Sequence, residues 1–431
     1  MYRLQEVTMD NTAKVGAEYG HSLVFDPIGF SGGSKVATSE ALALCNAKNS
    51  QFTILTASPK CWSNSSLARK HGVTIVKLYI PYSLAKASCG GLFWVKQLYL
   101  SMYICLTLLS IKLSKSNSIS KLVGCSGPGI DMSLYLCRTL VALNIIQFIH
   151  GPVAASRSIG FCLTRCDALF YLPSTKQSLI DALSCYLSIK NGDHYSATLA
   201  EFVLHSPHAR TFVNGISQTC WPTKSQTDHA SLFWAASLLK WKGLDLLLNV
   251  LKANTHNSSP NDATTCLHTT VCYIRPQGIN LNITQAPIAI QHVQWHEQPD
   301  NLDQLRSQNS IFVSTSINEP FGLSILEALA AGMCVVIPKD GAYWDTQLTH
   351  GLNCMKYTPQ DPKSLQTILH TLAITPLWRS NIQSRAYILA KEYQAETCYL
   401  PIARFIDTDK FTSEMTLSVC SERCSRTGIS L

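Results

Sequence analysis

The chain has 431 residues, 46% of them apolar and 14% charged, and its formal net charge is +8. This length is too great for one hydrophobic core and predicts two domains of roughly 150 to 200 residues each. The 17 cysteines show neither C-x-x-C pairs nor zinc spacings, and no signal peptide is predicted from the N-terminal residues. The composition therefore argues against a secreted disulfide scaffold and predicts a cytoplasmic protein with reduced thiols.

The positive charge lies in the first half of the chain. Residues 1–205 contain 18 Lys and Arg against 10 Asp and Glu, whereas the remainder contains 17 of each. No acidic residue occurs between Glu40 and Asp131, a stretch with ten basic residues. Such a surface attracts phospholipid head groups or a phosphorylated acceptor and predicts peripheral contact with the inner face of a membrane. Nucleic acid is not the expected partner, because no recognition signature for it is present.

Strand and helix signals alternate through the first half. Residues 1–20 are predicted to be a loose tail, and the alternation after them predicts a doubly wound parallel sheet. The predicted strands are 22–26, 52–57, 73–80, 121–125 and 145–150.

A glycine loop follows the first predicted strand. Gly32 and Gly33 would let the backbone approach a ligand closely, and Ser34 is a candidate N-cap for the next helix. A plain tight turn is an equally good interpretation of two adjacent glycines. The G-K-[ST] ending of a P-loop is missing.

A long apolar helix is predicted from about 92 to 113. Lys96 and Lys112 bracket about 15 uncharged residues, fewer than the ~20 that span a bilayer. The favoured prediction is a helix partly buried in the first domain. The alternative is a helix with one face in a membrane.

His150 ends the predicted strand 145–150. A lone histidine is often structural, but open α/β sheets bind ligands at the carboxyl ends of their strands. His150 is therefore a candidate site residue. In the second half, a predicted strand near 231–236 precedes Ser237 and the pair Lys242-Gly243.

The segment from Ser310 to Pro338 is predicted to form a strand, a short loop, a helix and a second strand. Glu319 stands just before the helix and Glu327 on its second turn. Unpaired N–H groups at a helix start attract an anionic group. Two carboxylates beside them can accept hydrogen bonds from sugar hydroxyls. The segment therefore predicts a nucleotide-sugar site.

The run Glu319-Pro-Phe-Gly-Leu-Ser-Ile-Leu-Glu327, its Ala-Gly-Met-Cys-Val-Val continuation and the acidic turn 340–345 resemble the donor site of glycosyltransferase family 4. This resemblance implies the GT-B fold, two Rossmann-like parallel-sheet domains facing a central cleft, and transfer with retention. The domain boundaries expected from it are 21–210 for the acceptor domain, 211–385 for the donor domain, 386–406 for a helix crossing back, and 407–431 for a tail.

The resemblance also implies roles for individual residues. Glu319, Lys242 and His150 are the candidate catalytic residues, with Glu319 contacting the donor sugar rather than acting as a nucleophile. The candidate donor-binding residues are Gly32, Gly33, Ser237, Phe321, Gly322, Leu323 and Glu327. Family members usually have Gly-Arg where this chain has Ala236-Ser237, so one of two cations on the diphosphate is missing. Lys240 and Arg275 are candidates to replace it.

The predicted function is transfer of a hexose from a nucleoside diphosphate sugar to a glycan or lipid-linked acceptor, in cell-surface polysaccharide or lipopolysaccharide synthesis. No Asp-x-Asp metal motif is expected in the chain, so neither a divalent metal nor another cofactor is expected to be required. One alternative is a GT-B epimerase or phosphorylase, which would turn over without an acceptor. Another is a catalytically weak protein that binds a nucleotide sugar.

Overall fold

A computed structural model describes residues 20–30, 32–47, 50–114, 119–191, 193–256, 267–276 and 281–407. Apart from Gly20 and Asp407, the two expected tails lie outside the described residues.

The first half forms a parallel sheet of seven strands. In chain order they are β1 (Gly20–Asp26), β2 (Ser50–Thr56), β3 (Val73–Lys77), β4 (Ile119–Gly124), β5 (Asn144–Ile149), β6 (Ala168–Tyr171) and β7 (Ala209–Thr211). Their spatial order is β3-β2-β1-β4-β5-β6-β7. The central strands are buried apolar runs, as expected for a parallel sheet covered on both faces.

Helices connect these strands and cover the sheet. They are α1 (Gly33–Leu42), α2 (Pro59–Ser63), α3 (Ser66–Lys70), α4 (Tyr82–Ala85), α5 (Gly90–Leu113), α6 (Met132–Arg138), α7 (Arg157–Leu163), α8 (Lys176–Asn191) and α9 (Asp193–His205). Ser34 is not the N-cap of α1. The helix already begins at Gly33, and Gly32 occupies the cap position with an extended backbone.

The second half forms a parallel sheet of six strands. They are β8 (Leu232–Ser237), β9 (Thr269–Ile274), β10 (Val293–Glu297), β11 (Ile311–Val313), β12 (Cys334–Pro338) and β13 (Met355–Tyr357), in the spatial order β10-β9-β8-β11-β12-β13. The associated helices are α10 (Leu244–His256), α11 (Leu302–Ser307), α12 (Leu323–Ala330), α13 (Tyr343–Gln347), α14 (Pro362–Ile374) and α15 (Pro376–Ala390). The predicted doubly wound architecture is therefore confirmed in both halves.

The end of the described chain returns to the first domain through α16 (Ala395–Cys398) and α17 (Leu400–Asp407). The Asp407 carboxylate accepts hydrogen bonds from the Asn46 N–H and the Ser50 hydroxyl. At the crossing, a Cβ on Gly215 would lie 2.8 Å from Ala395, and Tyr399 donates a hydrogen bond to the Asn214 side chain at 3.1 Å. The turn Asn214-Gly215-Ile216 thus packs directly against the returning segment.

Gly160 lets α7 and α8 approach each other closely. A Cβ at this position would meet the Ala182 carbonyl oxygen and would lie 2.5 Å from Tyr186 Cβ. Neither contact involves the flexible end of a side chain, so a methyl group there requires the two helices to separate.

We expect Gly160→Ala to destabilise the first domain by about 1–3 kcal/mol through overpacking. This corresponds to a fall in the thermal midpoint of roughly 2–10 °C for a domain of this size. Gly72→Ala is the matched control, because no atom lies within 4 Å of its Cβ position. Equal midpoints for the two variants, measured by circular dichroism, would contradict the close helix contact.

Candidate active site

The predicted site residues follow strands at the topological switch points of the two sheets. In the first sheet the strand order reverses between β1 and β4, and Gly32 and Gly33 follow β1. In the second sheet it reverses between β8 and β11, and Lys242 and Glu319 follow these two strands. Open α/β sheets bind ligands at the carboxyl ends of strands flanking such a point.

Lys242 and Glu319 form an ion pair. Lys242 Nζ lies 2.5 Å from Glu319 Oε2, and the two side chains are 17% and 14% exposed. The ammonium group also lies 4.0 Å from the centre of the Trp241 ring. The pair joins the loops after β8 and β11 and leaves both charged groups partly accessible to a ligand.

The backbone beside Lys242 requires the glycine that follows it. Gly243 has φ +70°, and a Cβ there would overlap the Thr315 carbonyl oxygen. The Thr315 hydroxyl donates to the Lys242 carbonyl at 2.8 Å and accepts from Trp234 Nε1 at 3.0 Å. These contacts fix the Lys242 backbone against the strand end that precedes Glu319.

Gly322 positions the start of α12. Its φ of +77° is in the left-handed region, and a Cβ would lie 2.9 Å from Glu319 Cγ. The Phe321 ring is buried against Tyr343 and Trp344, so Phe321 can contribute to a ligand site only through its main chain. The first N–H groups of α12, beginning at Leu323, are donors of the kind that bind anions.

Glu327 is held by a residue that the sequence analysis did not identify. Arg306, on α11, donates from Nη2 to Glu327 Oε2 at 2.5 Å and pairs with Asp303 at 2.9 Å. The Glu327 side chain is 30% exposed, whereas that of Arg306 is 6% exposed. A nearly buried guanidinium thus fixes the orientation of the carboxylate and leaves its edge accessible.

The first domain meets the segment from Pro320 to Leu323 at three places. A Cβ on Gly33 would lie 3.3 Å from Leu323 Cδ1, and one on Gly151 would lie 4.0 Å from Pro320 Cγ. The Ser174 hydroxyl donates to the Pro320 carbonyl at 2.6 Å. The predicted glycine loop, the residue after His150 and the segment from Pro320 to Leu323 are therefore brought together at one interdomain site.

A buried ion pair supports the glycine loop. Lys35 Nζ lies 2.9 Å from Asp26 Oδ2 and also donates to the Ile28 carbonyl at 2.6 Å. Asp26 further accepts hydrogen bonds from Thr56 and Trp62. This pair was not predicted from the sequence. A carboxylate ending a strand and a lysine just after the glycines were the available signal.

His150 lies beside the site with a neutral ring. Its Nε2 is 3.0 Å from the Thr38 hydroxyl, and the ring packs against Phe148 and Phe212. Its Nδ1 is buried without a hydrogen-bond partner among the described residues. Burial lowers the pKa of His150 to about 3. The imidazole can therefore donate or accept a hydrogen bond near pH 7 but carries no charge.

Both proposed substitutes for the missing arginine have acidic partners. Ser237 ends β8 and is half-buried. Lys240 pairs with Asp245 at 2.8 Å, and Arg275 pairs with Glu297 at 3.3 Å and donates to the Ala286 carbonyl. Neither cation contacts Glu319 or Lys242 in this arrangement.

The chain does contain one Asp-x-Asp pattern, at Asp407-Thr-Asp409. Asp407 bonds to Ser50, the first residue of β2, and therefore lies at the amino edge of the first sheet, opposite the interdomain site. Asp409 lies outside the described residues. Among the described residues, no three His, Cys, Asp or Glu side chains form a group able to hold a metal ion.

Solved structures of low sequence identity share this architecture. The Anabaena HepE protein in complex with UDP-glucose matches with a TM-score of 0.60 at 15% identity, over 90% of this chain and 99% of that chain. Sucrose-phosphate synthase from Thermosynechococcus elongatus matches with 0.60 at 12% identity, over 90% and 98%. A Rickettsia africae glycosyltransferase matches with 0.58 at 13% identity, over 91% and 100%. The chain therefore has the GT-B fold that the resemblance implied.

A family model supplies a narrower comparison. The family described as glycosyl transferases group 1 matches residues 279–372, a stretch that includes Arg306, Glu319 and Glu327. A search of curated proteins finds no match to the chain. The matched domain and the fold together support a glycosyltransferase of the GT-B type.

We expect the neutral state of His150 to make the protein less stable in acid. The folded-state pKa of about 3 lies below the usual His value of about 6.5, so the unfolded chain binds the proton more readily. The stabilisation of the folded state by neutral His150 is therefore present above pH ~6.5 and is lost as the pH falls toward the folded-state pKa. Between pH 7 and 5 the loss is at most about 2 kcal/mol.

The test compares thermal midpoints of the wild type and His150→Gln at pH 7 and pH 5. Gln can keep a hydrogen bond to Thr38 but does not titrate. The wild-type midpoint should fall more than that of the variant. Parallel falls would show that His150 is not held neutral by the fold.

Proposed function

We propose that this chain is a family 4 glycosyltransferase that moves a hexose from a nucleoside diphosphate sugar to a glycan or lipid-linked acceptor with retention. We place it in the cytoplasm, in synthesis of a cell-surface polysaccharide or lipopolysaccharide. The observation that carries the proposal is the Lys242–Glu319 pair beside the start of α12, facing the glycine loop of the first domain.

The donor would take its place in this interdomain site. The diphosphate would be bound by Lys242 and by the N–H groups at the start of α12, which offer positive charge and unpaired donors. Glu319, with the main chain of residues 321–323, would bind the sugar, and Glu327 would accept hydrogen bonds from the ribose hydroxyls. Gly32 and Gly33 would allow the first domain to approach the phosphates.

The chemical step exchanges one bond at the anomeric carbon for another. The bond from this carbon to the diphosphate oxygen breaks, and a bond to the acceptor oxygen forms on the same face of the sugar. The acceptor hydroxyl proton leaves with the departing diphosphate. Charge grows on the diphosphate as its bond breaks, and the Lys242 ammonium and the α12 amides stabilise it there.

The remaining residues orient the reactants. Binding between the domains holds donor and acceptor in a reactive geometry, which supplies a large share of the rate enhancement. His150, being neutral, would exchange its hydrogen bond with Thr38 for one with the donor sugar, without adding charge. The proposal assigns charge neutralisation to these groups, without a divalent metal.

One observation favours a second candidate, a protein that binds a nucleotide sugar and transfers it weakly. Ser237 occupies the position where the resembling enzymes have arginine, and Lys240 and Arg275 are engaged by acidic partners. Losing one of two cations on a departing diphosphate can cost a few kcal/mol of transition-state stabilisation.

We expect a nucleoside diphosphate sugar to raise the thermal midpoint of the protein. A panel should begin with UDP-glucose, the ligand of the structurally similar Anabaena protein. A ligand that binds only the folded state adds about 2.7 kcal/mol at 100 times its Kd. Lys242→Met should weaken the affinity by roughly tenfold or more, because a charge-assisted contact to the diphosphate is lost.

The matched control for this experiment is Lys240→Met. Lys240 lies two residues away, but its ammonium group is exposed and pairs with Asp245 instead of Glu319. Its affinity should equal that of the wild type. If no nucleotide sugar stabilises the protein, or if the two variants bind equally, the assignment of the donor site is wrong.

A second substitution tests the missing cation. We expect Ser237→Arg to raise kcat of sugar transfer by about tenfold to a hundredfold, because it restores a positive charge near the departing diphosphate. Ser237→Met controls for side-chain length without charge and should not raise kcat. Equal rates for the two variants would show that the absent arginine does not limit transfer.

A further inference from the structure

α5 buries polar side chains that an ordinary surface helix would expose. Its buried residues are Gln97, Leu100, Ser101, Ile104 and Thr107, three of which are polar. A helix of a water-soluble domain normally buries its apolar stripe and exposes its polar face.

The outer side of α5 carries a continuous apolar stripe. Its members are Val95, Leu98, Met102, Leu106, Leu109 and Leu113, and their side chains are between 52% and 73% exposed. Their spacing of three or four residues places them on one face of the helix. We call these six residues the α5 stripe. A patch of this length on a described surface indicates an interaction site.

Aromatic side chains flank the stripe. Trp94 is 47% exposed near the start of α5, and Tyr79 and Tyr82 are 65% and 71% exposed. Tyr99 of α5 donates to the Tyr79 carbonyl, so the loop carrying Tyr79 lies beside the helix. Exposed Trp and Tyr are typical of the boundary between lipid and water.

The charges around the stripe are positive. Lys77, Lys86 and Lys112 are exposed, and no acidic residue occurs between Glu40 and Asp131. Asp131 itself is fully buried. A second copy of this chain would bring the same lysines against each other, whereas an anionic lipid surface would complement them.

By length and composition α5 could cross a bilayer, although the apolar run between its lysines was predicted to be too short. Its inner face, however, packs into the core of the first domain. Leu100 and Ile104 are fully buried in the domain core, and Ser101 donates to the Ser133 carbonyl. Spanning would require the helix to leave these contacts. An orientation in the plane of the membrane keeps them and buries only the outer stripe.

We propose that the α5 stripe docks this protein on an anionic lipid bilayer. The apolar side chains enter the boundary between head groups and acyl chains, and the neighbouring lysines contact lipid phosphates or carboxylates. The docking stands apart from the proposed transfer. Where that function holds, the docking places the first domain at the surface that carries a lipid-linked acceptor, which narrows the acceptor class.

The experiment measures co-sedimentation of the full chain with vesicles of phosphatidylcholine containing phosphatidylglycerol, and with phosphatidylcholine alone. The wild type should bind the anionic vesicles and bind the neutral ones much more weakly. Leu98→Ser, Met102→Ser and Leu106→Ser together should reduce binding by about a hundredfold, because each buried aliphatic side chain contributes roughly tenfold or less.

The matched control replaces three exposed apolar residues of the second domain, Ile374, Leu377 and Ile388, by Ser. These are 52%, 82% and 64% exposed. This variant should bind vesicles as the wild type does. All three proteins should have similar thermal midpoints and the same response to nucleotide sugars, so a loss of vesicle binding is separated from misfolding and from failure of the donor site.

Several outcomes would overturn the proposal. The wild type failing to bind anionic vesicles, or binding neutral vesicles equally well, would contradict it. So would a stripe variant that binds vesicles as tightly as the wild type. A control variant that loses as much vesicle binding as the stripe variant would also contradict it. A wild-type dimer in solution that the stripe variant dissociates, without vesicle binding, would assign the stripe to a second copy. Resistance to extraction with alkaline carbonate would show that α5 spans the bilayer.

Discussion

The ion pair between Lys242 and Glu319 is the interaction on which the arrangement of the site depends. It joins the ends of β8 and β11, the two strands where the order of the second sheet reverses. Gly243 lets the backbone beside Lys242 approach Thr315, and Gly322 lets α12 begin beside Glu319. The pair can form only because of these two close approaches. In the proposed function an anionic ligand would meet a cation and a helix start that are already in place.

The position of the first domain is maintained at a distance from this pair. The segment around Gly215 packs against Ala395, and Tyr399 bonds to Asn214, so two stretches of chain cross between the domains side by side. A hydrophobic cluster continues from Phe148 and Phe212 in the first domain to Phe321 in the second. These contacts explain how the glycine loop, Gly151 and Ser174 can meet a loop from the other sheet.

The first domain combines two different surfaces. Its strand ends, with Gly33 and Ser174, face the segment from Pro320 to Leu323, whereas the α5 stripe is directed to solvent. The net positive charge is concentrated in this domain and not in the one that carries Glu319 and Glu327. In the proposed function this division separates two tasks. Donor binding uses a few fixed charges, whereas contact with an acceptor surface uses apolar area and a broad positive field.

The sequence by itself determined the alternation of strands and helices, the parallel sheets and the strand, loop and helix that carry Glu319 and Glu327. These features depend on local patterns, such as buried apolar runs and the glycine that a left-handed residue requires at Gly322. Only the tertiary structure decided the partners of the charged groups. Arg306 with Glu327 and Asp26 with Lys35 are pairs set by packing, and the side of α5 that faces water depends on what covers the other side. Residue spacing along the chain does not specify these pairs or the exposed side of α5, because both arise when distant segments pack into one core.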